Sequence, residues 1–308
     1  MTPDIMIAIL MTVVGASTPI LLAALGELVV EKSGVLNLGV EGMMLSGAVV
    51  AFAVTVSTGS PTLGVLAAMA AGAAASLIFG FLTLTLTANQ VATGLALTIF
   101  GIGVSSLFGA PFVGLTVDVY SSFFPDALAE HRVLRLIFGH SPLVYLSVAL
   151  TAAVVWFLTH SRAGLILRAV GESDQAAHSI GYSVIGVRYL AVMFGGTLAG
   201  LAGSYYSLVL TPMWADGLTA GRGWIALALV VFASWRPWRL LLGAYLFGGV
   251  MTMELHTKAA GVTLFAPEFL AMMPYLATIA VLTIISVRPQ SIRTAAPACL
   301  AKPFQPTS

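Results

Sequence analysis

The sequence predicts an all-α polytopic membrane protein with about nine transmembrane helices. Three observations carry this. Of 308 residues, 59% are hydrophobic and 8% are charged, against roughly 25% charged in a soluble domain. Mean hydropathy is +1.01. The apolar residues also fall in runs near the ~20 residues that a crossing helix needs: 5–25, 43–58, 63–87, 91–109, 142–160, 187–210, 223–236, 239–257 and 269–287. So few charges cannot cover a water-facing surface, whereas a bilayer offers hydrocarbon to that surface. Residues 1–290 read as one transmembrane domain with a protruding loop at 161–187, and 291–308 as a disordered tail.

The first run begins at a segment without Lys or Arg and carries Asp4. It lacks the basic start of a secretory leader and is expected to remain as a helix. Next comes Gly26 to Gly42, in which Glu27, Glu31, Lys32, Asn37 and Glu41 stand among four glycines. Such a segment cannot face lipid. It fits a cytoplasmic connector, or a broken element buried beside a solute path, with Asn37 and Glu41 as path candidates. The turn Asn89-Gln90-Val91-Ala92-Thr93-Gly94 adds Asn89, Gln90 and Thr93 to that set on similar grounds, and a plain turn fits it as well.

The loop 161–187 carries Arg162 and Arg168, with Arg188 just after it. Within it Ser173 is a good N-cap, followed by Asp174 and Gln175 in a first turn. A short helix from there ends naturally at Gly181. In the following run, Gly196 with Gly200 and Ala199 with Gly203 make small-xxx-small steps that let helices approach closely. Ala215 to Leu227 then places Arg222 between Gly221 and Gly223 at a membrane edge. It reads either as a turn with a snorkelling arginine or as lining of an entrance. Trp235-Arg236-Pro237-Trp238-Arg239 must turn tightly between the seventh and eighth runs.

The Lys/Arg bias orients the chain. Loop 161–188, the turn at 236–239 and the tail with Arg288, Arg293 and Lys302 fall on one side if nine crossings are made. That side is expected to be cytoplasmic, with the N-terminus outside and the C-terminus inside. The loop 110–141 then lies outside, although it holds Arg132 and Arg135.

Several chemistries are excluded. A net charge of +1 without a basic block gives no case for nucleic acid. Cys299 stands alone, so no internal disulfide forms. The five histidines show no zinc spacing. No Walker A loop occurs, so the chain does not hydrolyse ATP by itself. A membrane enzyme would need a catalytic cluster that the sequence lacks. An ion-coupled secondary transporter would need more buried charges and an inverted repeat.

Segment 26–47, loop 164–182 with Val187-Arg188-Tyr189-Leu190-Ala191-Val192, and Leu218 to Leu227 together resemble permeases of the ABC importer group for branched-chain amino acids, sugars and nucleosides. Within that group the chain is most similar to nucleoside permeases, often labelled simple-sugar permeases. The resemblance implies a non-catalytic permease subunit for nucleosides, or alternatively for ribose-type sugars. It implies separate ABC ATPase subunits that bind ATP and Mg, a second permease subunit, a substrate-binding protein, and no cofactor in this chain. It implies a fold similar to the vitamin B12 permease lacking its first helix. By the same likeness Gly171 to Gly181 matches the coupling helix that enters a cleft of the ATPase. Arg168, Gly171, Glu172, Ala176, Ala177 and Gly181 are the coupling residues so implied; His178 and Ser179 depart from the usual pattern. The expected localisation is the bacterial plasma (inner) membrane.

Overall fold

The computed structural model describes residues 3–120, 122, 124, 132–259, 269, 272–273, 276, 279–280, 283 and 296–305. Among these the protein is helical, with only isolated bridges at Val113–Trp214 and Thr116–Met213. Six helices are long and apolar enough to cross a membrane: Ile5–Lys32, Val40–Thr58, Pro61–Thr85, Gln90–Phe112, Pro142–His160 and Val184–Leu210. They coincide with the first six apolar runs. Most of the expected ninth run, 269–287, lies outside the described residues.

In chain order α1 is Pro3–Lys32, α2 Val40–Thr58, α3 Pro61–Gly80, α4 Gln90–Gly109, α5 Arg132–Phe138 and α6 Pro142–His160. Then come α7 Arg162–Glu172, α8 Asp174–Ser179, α9 Val184–Tyr205, α10 Arg222–Phe232 and α11 Pro237–Ala259. Helices α3 and α9 each finish in a π-turn, Phe81–Thr85 and Tyr206–Leu210.

Two expectations need correction. The first helix does not stop at residue 25 but continues through Glu27 and Glu31 to Lys32. It continues because both carboxylates find hydrogen-bond donors inside the bundle, as described below. The break is thus confined to residues 33–39. Helix α1 closes in a Schellman turn, with Val35 N–H donating to Val30 C=O and Gly34 N–H to Glu31 C=O. Gly34 has φ +91, the left-handed conformation that this cap requires.

The second correction concerns the seventh run. In place of a crossing helix over 223–236, α10 has 11 residues. At 1.5 Å per residue it reaches about 16 Å, half of a ~30 Å hydrocarbon core. The stretch 211–221 that precedes it is non-helical. The turn that follows lies at Ala233–Arg236, slightly earlier than expected, with Ser234 and Trp235 both at positive φ.

The core is the packing of α9 on α1, α2 and α3. Small residues allow it. A Cβ on Gly200 would lie 2.1 Å from the Ala68 carbonyl oxygen, and one on Gly203 would lie 2.0 Å from that of Met44. Backbone meets backbone here, which in lipid supplies the dispersion contacts that hold helices together. Large apolar side chains such as Leu66, Ile99, Leu107 and Phe108 stay exposed on the outside of α3 and α4, as a bilayer permits.

The helix ends sort onto two faces. One end, here the basic end, gathers the 33–39 connection, the start of α4, α7, α8, the start of α9, the turn 233–236 and residues 296–305. Leu36 N–H donates to Gln90 Oε1, Arg188 reaches Ser33 and Lys302, and Cys299 N–H donates to Gly171 C=O. At the opposite end the segment 113–120 pairs with residues 208–214, for example Val117 N–H to Pro212 C=O.

Candidate functional site

Two polar centres stand out in an apolar bundle. The deeper one is built where α2 and α10 begin. Both start inside the protein, and α10 is too short to cross by itself. Helix α2 runs from there to the opposite end and α10 runs to the basic end, so two helix N-termini converge. Glu41 lies between them, 5% exposed. It occupies the first turn of α2, and its carboxylate reaches across to the start of α10. Gly221 N–H donates to Oε1 at 2.8 Å, Gly223 N–H to Oε2 at 2.6 Å, and Thr219 Oγ1–H to Oε1 at 2.5 Å.

The electrostatics explain how a carboxylate tolerates this depth. The unpaired N–H groups of a helix start carry about half a positive charge. Two such starts face Glu41, and three donors satisfy its oxygens. No side chain at Gly223 could coexist with this contact, since a Cβ there would lie 2.6 Å from Glu41 Oε2. Arg222, the next residue, turns away. Its guanidinium stacks 5.0 Å above the Tyr206 ring in the π-turn, and Nη1 donates to Leu218 C=O. A π-turn at this point is the kind of local insertion that marks functional sites.

The 33–39 connection forms the floor of this centre. Asn37 is fully buried. Its Oδ1 accepts from Gly39 N–H at 2.9 Å, a local Asx turn, and its own N–H donates to Glu27 Oε1 at 3.0 Å. Gln90 is 4% exposed and closes the same loop through Leu36. Glu27 Oε2, Gln90 Nε2 and Tyr206 OH remain buried with no partner among the described residues. Buried polar groups of this kind are satisfied by water or solute in working proteins. Asn37, Glu41, Gln90 and Arg222 therefore belong to one connected region. Asn89 does not: it is exposed and serves as N-cap of α4, accepting from Ala92 N–H. Thr93 is half-buried one turn further on.

The second centre lies at the basic end. Ser173 caps α8, accepting from Ala176 N–H at 3.4 Å. The helix ends in a second Schellman turn, Tyr182 N–H to Ala177 C=O and Gly181 N–H to His178 C=O, with Gly181 at φ +94. Ala177 is buried, while Gln175, Ala176, His178, Ser179 and Ile180 are exposed. Of the other residues expected to take part in coupling, Gly171 is buried against Lys32, and Arg168 and Glu172 are exposed. Arg168, Glu172 and Arg236 all lie within electrostatic range of Lys32.

Sequence reasoning missed the residues that hold these centres together. Arg188 is 1% exposed. It bridges to Asp174 at 3.2 Å, and donates to Ser33 C=O through Nε and to Lys302 C=O through Nη1. One side chain thus joins α8, the end of α1 and the tail. Glu31 accepts from the Trp235 indole, tying α1 to the turn after α10. The available signal was an arginine inside an apolar run and an acid one turn from a helix end.

A helical membrane protein in which two helix starts meet at a buried carboxylate, with a capped short helix at its basic end, fits the class of solute-translocating proteins. Comparison with known proteins makes this specific. Residues 9–282 match the family of the branched-chain amino acid transport system, permease component, and the chain belongs to that family. It is 40% identical to a putative glucose ABC transporter permease protein of Haloferax volcanii, over 94% of this chain and 95% of the relative. It is 32% identical to a guanosine ABC transporter permease protein of Bacillus subtilis, over 87% and 88%, and 27% identical to a nucleoside ABC transporter permease protein of Lactococcus lactis, over 87% and 89%. No solved structure matches. The chain is the permease component of an ABC transporter, and ATP hydrolysis belongs to a separate subunit.

Proposed function

We propose that the chain forms half of the membrane path of an importer for nucleosides, working with a second permease subunit, ABC ATPase subunits that bind ATP and Mg, and a substrate-binding protein. The names of two relatives support a nucleoside cargo. A simple sugar is the second reading, favoured by the 40%-identical relative named for glucose. Both cargoes share a neutral ring bearing hydroxyls. Such a solute needs hydrogen-bonding groups along its way and no counter-charge. The neutralised Glu41 centre and its spare polar atoms fit that demand.

The second permease is a paralogue in this reading. Bacillus subtilis holds two relatives named for guanosine and Haloferax volcanii holds two named for glucose. The crossings number nine, with 211–232 as one discontinuous crossing, in a fold similar to the vitamin B12 permease without its first helix. The membrane is the plasma (inner) membrane. The basic end, rich in Lys and Arg, faces the cytoplasm. The N-terminus then lies outside, because α1 ends at the basic end.

Coupling runs through α8 and its flanks: Arg168, Gly171, Glu172, Ala176, Ala177 and Gly181. A helix cannot transmit a push unless it is fixed at its base. The observation that carries this reading is the Arg188–Asp174 bridge, which fixes α8 to the membrane helix behind it. ATP binding closes the ATPase pair, α8 moves with it, and the permease alternates between outward and inward states.

The test is uptake in vesicles holding the whole importer, with labelled guanosine and glucose as separate cargoes. Glu172→Arg is expected to abolish ATP-driven uptake while the chain still inserts. Normal uptake by that variant removes the coupling assignment. Uptake of glucose without guanosine transfers the cargo to the second reading.

A further inference from the structure

The tail was expected to be disordered, yet residues 296–305 are tightly engaged. Cys299 N–H donates to Gly171 C=O at 2.9 Å and Ala301 N–H to Gly34 C=O at 3.1 Å. Lys302 C=O accepts from Arg188. Gln305 C=O accepts from Gln175 Nε2 at 3.0 Å. Phe304 is 8% exposed, inserted in a small apolar cluster with Val170, Ala177 and Val184. Its ring meets His178 edge-on at 5.5 Å.

These contacts have a pattern. Phe304 touches α7, α8 and the first turn of α9 at once. The backbone of 299–302 stitches α7 to the end of α1. Helix α8 has six residues, too short to hold itself by helix formation alone. Its inner face consists of Asp174, bridged to Arg188, and the small Ala177. Without Phe304 the apolar part of that face would lose the one aromatic ring that the cluster holds among the described residues.

We infer that residues 296–305 are a strap that completes the coupling apparatus, with Phe304 and Arg188 as positioning residues that lock α8 onto α9. This rests on the coupling reading above. A displacement imposed on α8 by the ATPase then passes to α9 as a rigid-body movement instead of being absorbed by a loose loop. Helix α9 is the hub on which α1, α2 and α3 pack, so its displacement reaches the Glu41 centre. The strap and α8 move together through the cycle.

The experiment uses the full importer in vesicles and reads both solute transport and ATP hydrolysis. Phe304→Ala is expected to lower the ratio of solute moved to ATP hydrolysed by roughly fivefold or more, with the ATPase still co-purifying. Phe304→Leu, which refills the cluster, is expected to restore most of that ratio. A merely structural role would lower assembly and leave the ratio alone. A second arm covers failure of Phe304→Ala to assemble. Gln175→Cys with Gln305→Cys, on a Cys299→Ser background, is bridged by a short thiol reagent. Transport that survives bridging supports the strap; transport that stops shows that the tail must release, which overturns it. An unchanged ratio in Phe304→Ala also overturns it. Glu172→Arg run alongside separates the causes: if that variant transports normally the coupling reading fails, and if it is dead while Phe304→Ala is normal only the strap fails.

Discussion

Glu41 accepts the backbone N–H of Gly223 at 2.6 Å, across 182 residues of sequence. This contact joins the N-terminus of α2 to that of α10, beside the two bonds that Glu41 accepts from Thr219 and Gly221. Glu41→Gln keeps the shape but supplies an amide nitrogen where an acceptor is needed. One of the three hydrogen bonds is then lost and replaced by a donor facing a donor. The expected cost is about 1.5–3 kcal/mol, read as a lower thermal midpoint of the purified complex, with slower uptake. Glu41→Asp is expected to do as badly, because its shorter side chain cannot span to Gly223. A Gln variant with an unchanged midpoint and uptake contradicts the junction.

The clamp at the other end of α10 gives a second prediction. Trp235 donates its indole N–H to Glu31 at 2.5 Å, and both residues are buried. Trp235→Phe keeps an aromatic ring but leaves the carboxylate short of a donor. Glu31→Gln keeps an acceptor oxygen and should be the milder change. In a double-mutant cycle the two sites are expected to couple by about 0.5–3 kcal/mol. The measurement is denaturation of the purified chain followed by tryptophan-independent signals such as helix content. Additive effects would show that the contact contributes nothing.

The close crossing of α9 on α3 gives a third. A methyl on Gly200 would lie 2.1 Å from the Ala68 carbonyl oxygen and close to Gly72. Neither is a flexible side-chain end that can swing away, so the helices must separate. Gly200→Ala is expected to lower the yield of folded protein in the membrane, and Gly200→Leu to abolish it. Gly249, where a Cβ would meet open space, is the control: Gly249→Ala should be tolerated.

These sites differ in how far the sequence announced them. The short helix α8 was legible because its determinants are local. Ser173 as N-cap and Gly181 as C′ residue lie within nine positions and obey capping chemistry that needs no tertiary knowledge. The first six crossings were legible from length and apolarity. The end of the first helix was not. Glu27 and Glu31 read as signs of a break in a lipid setting, and only their distant partners Asn37 and Trp235 make a continued helix tolerable. The half-length of α10 was hidden because residues 223–233 are apolar throughout, and what stops the helix is a turn tied to Glu31. The tail was illegible because its partners outside its own turns, Gly34, Gly171, Gln175 and Arg188, lie over a hundred positions away. Glu41 was singled out on the cost of burying a carboxylate, and that argument located the centre without revealing the donors.

The Arg188–Asp174 bridge gives the last prediction, because stability and function should part there. Removing one member of a buried pair leaves a charge without compensation, which costs about 3–5 kcal/mol, whereas replacing both by apolar residues is often neutral. Asp174 keeps 12% side-chain exposure, so water offsets part of the penalty and Arg188→Met should fall at the lower end of that range. Arg188→Met with Asp174→Leu should recover much of this stability. It should not recover coupling, since Arg188 also holds the Ser33 and Lys302 carbonyls, and no methionine can replace those donors. Arg188→Lys keeps the charge but one ammonium cannot reach three acceptors in the geometry of a planar guanidinium, so it is expected to be stable and poorly coupled. Thermal midpoints and the ratio of solute moved to ATP hydrolysed, taken on the same three variants, separate the two effects. If the double variant regains full transport together with its stability, Arg188 is merely a filler of space, and the basic end transmits force by some other route.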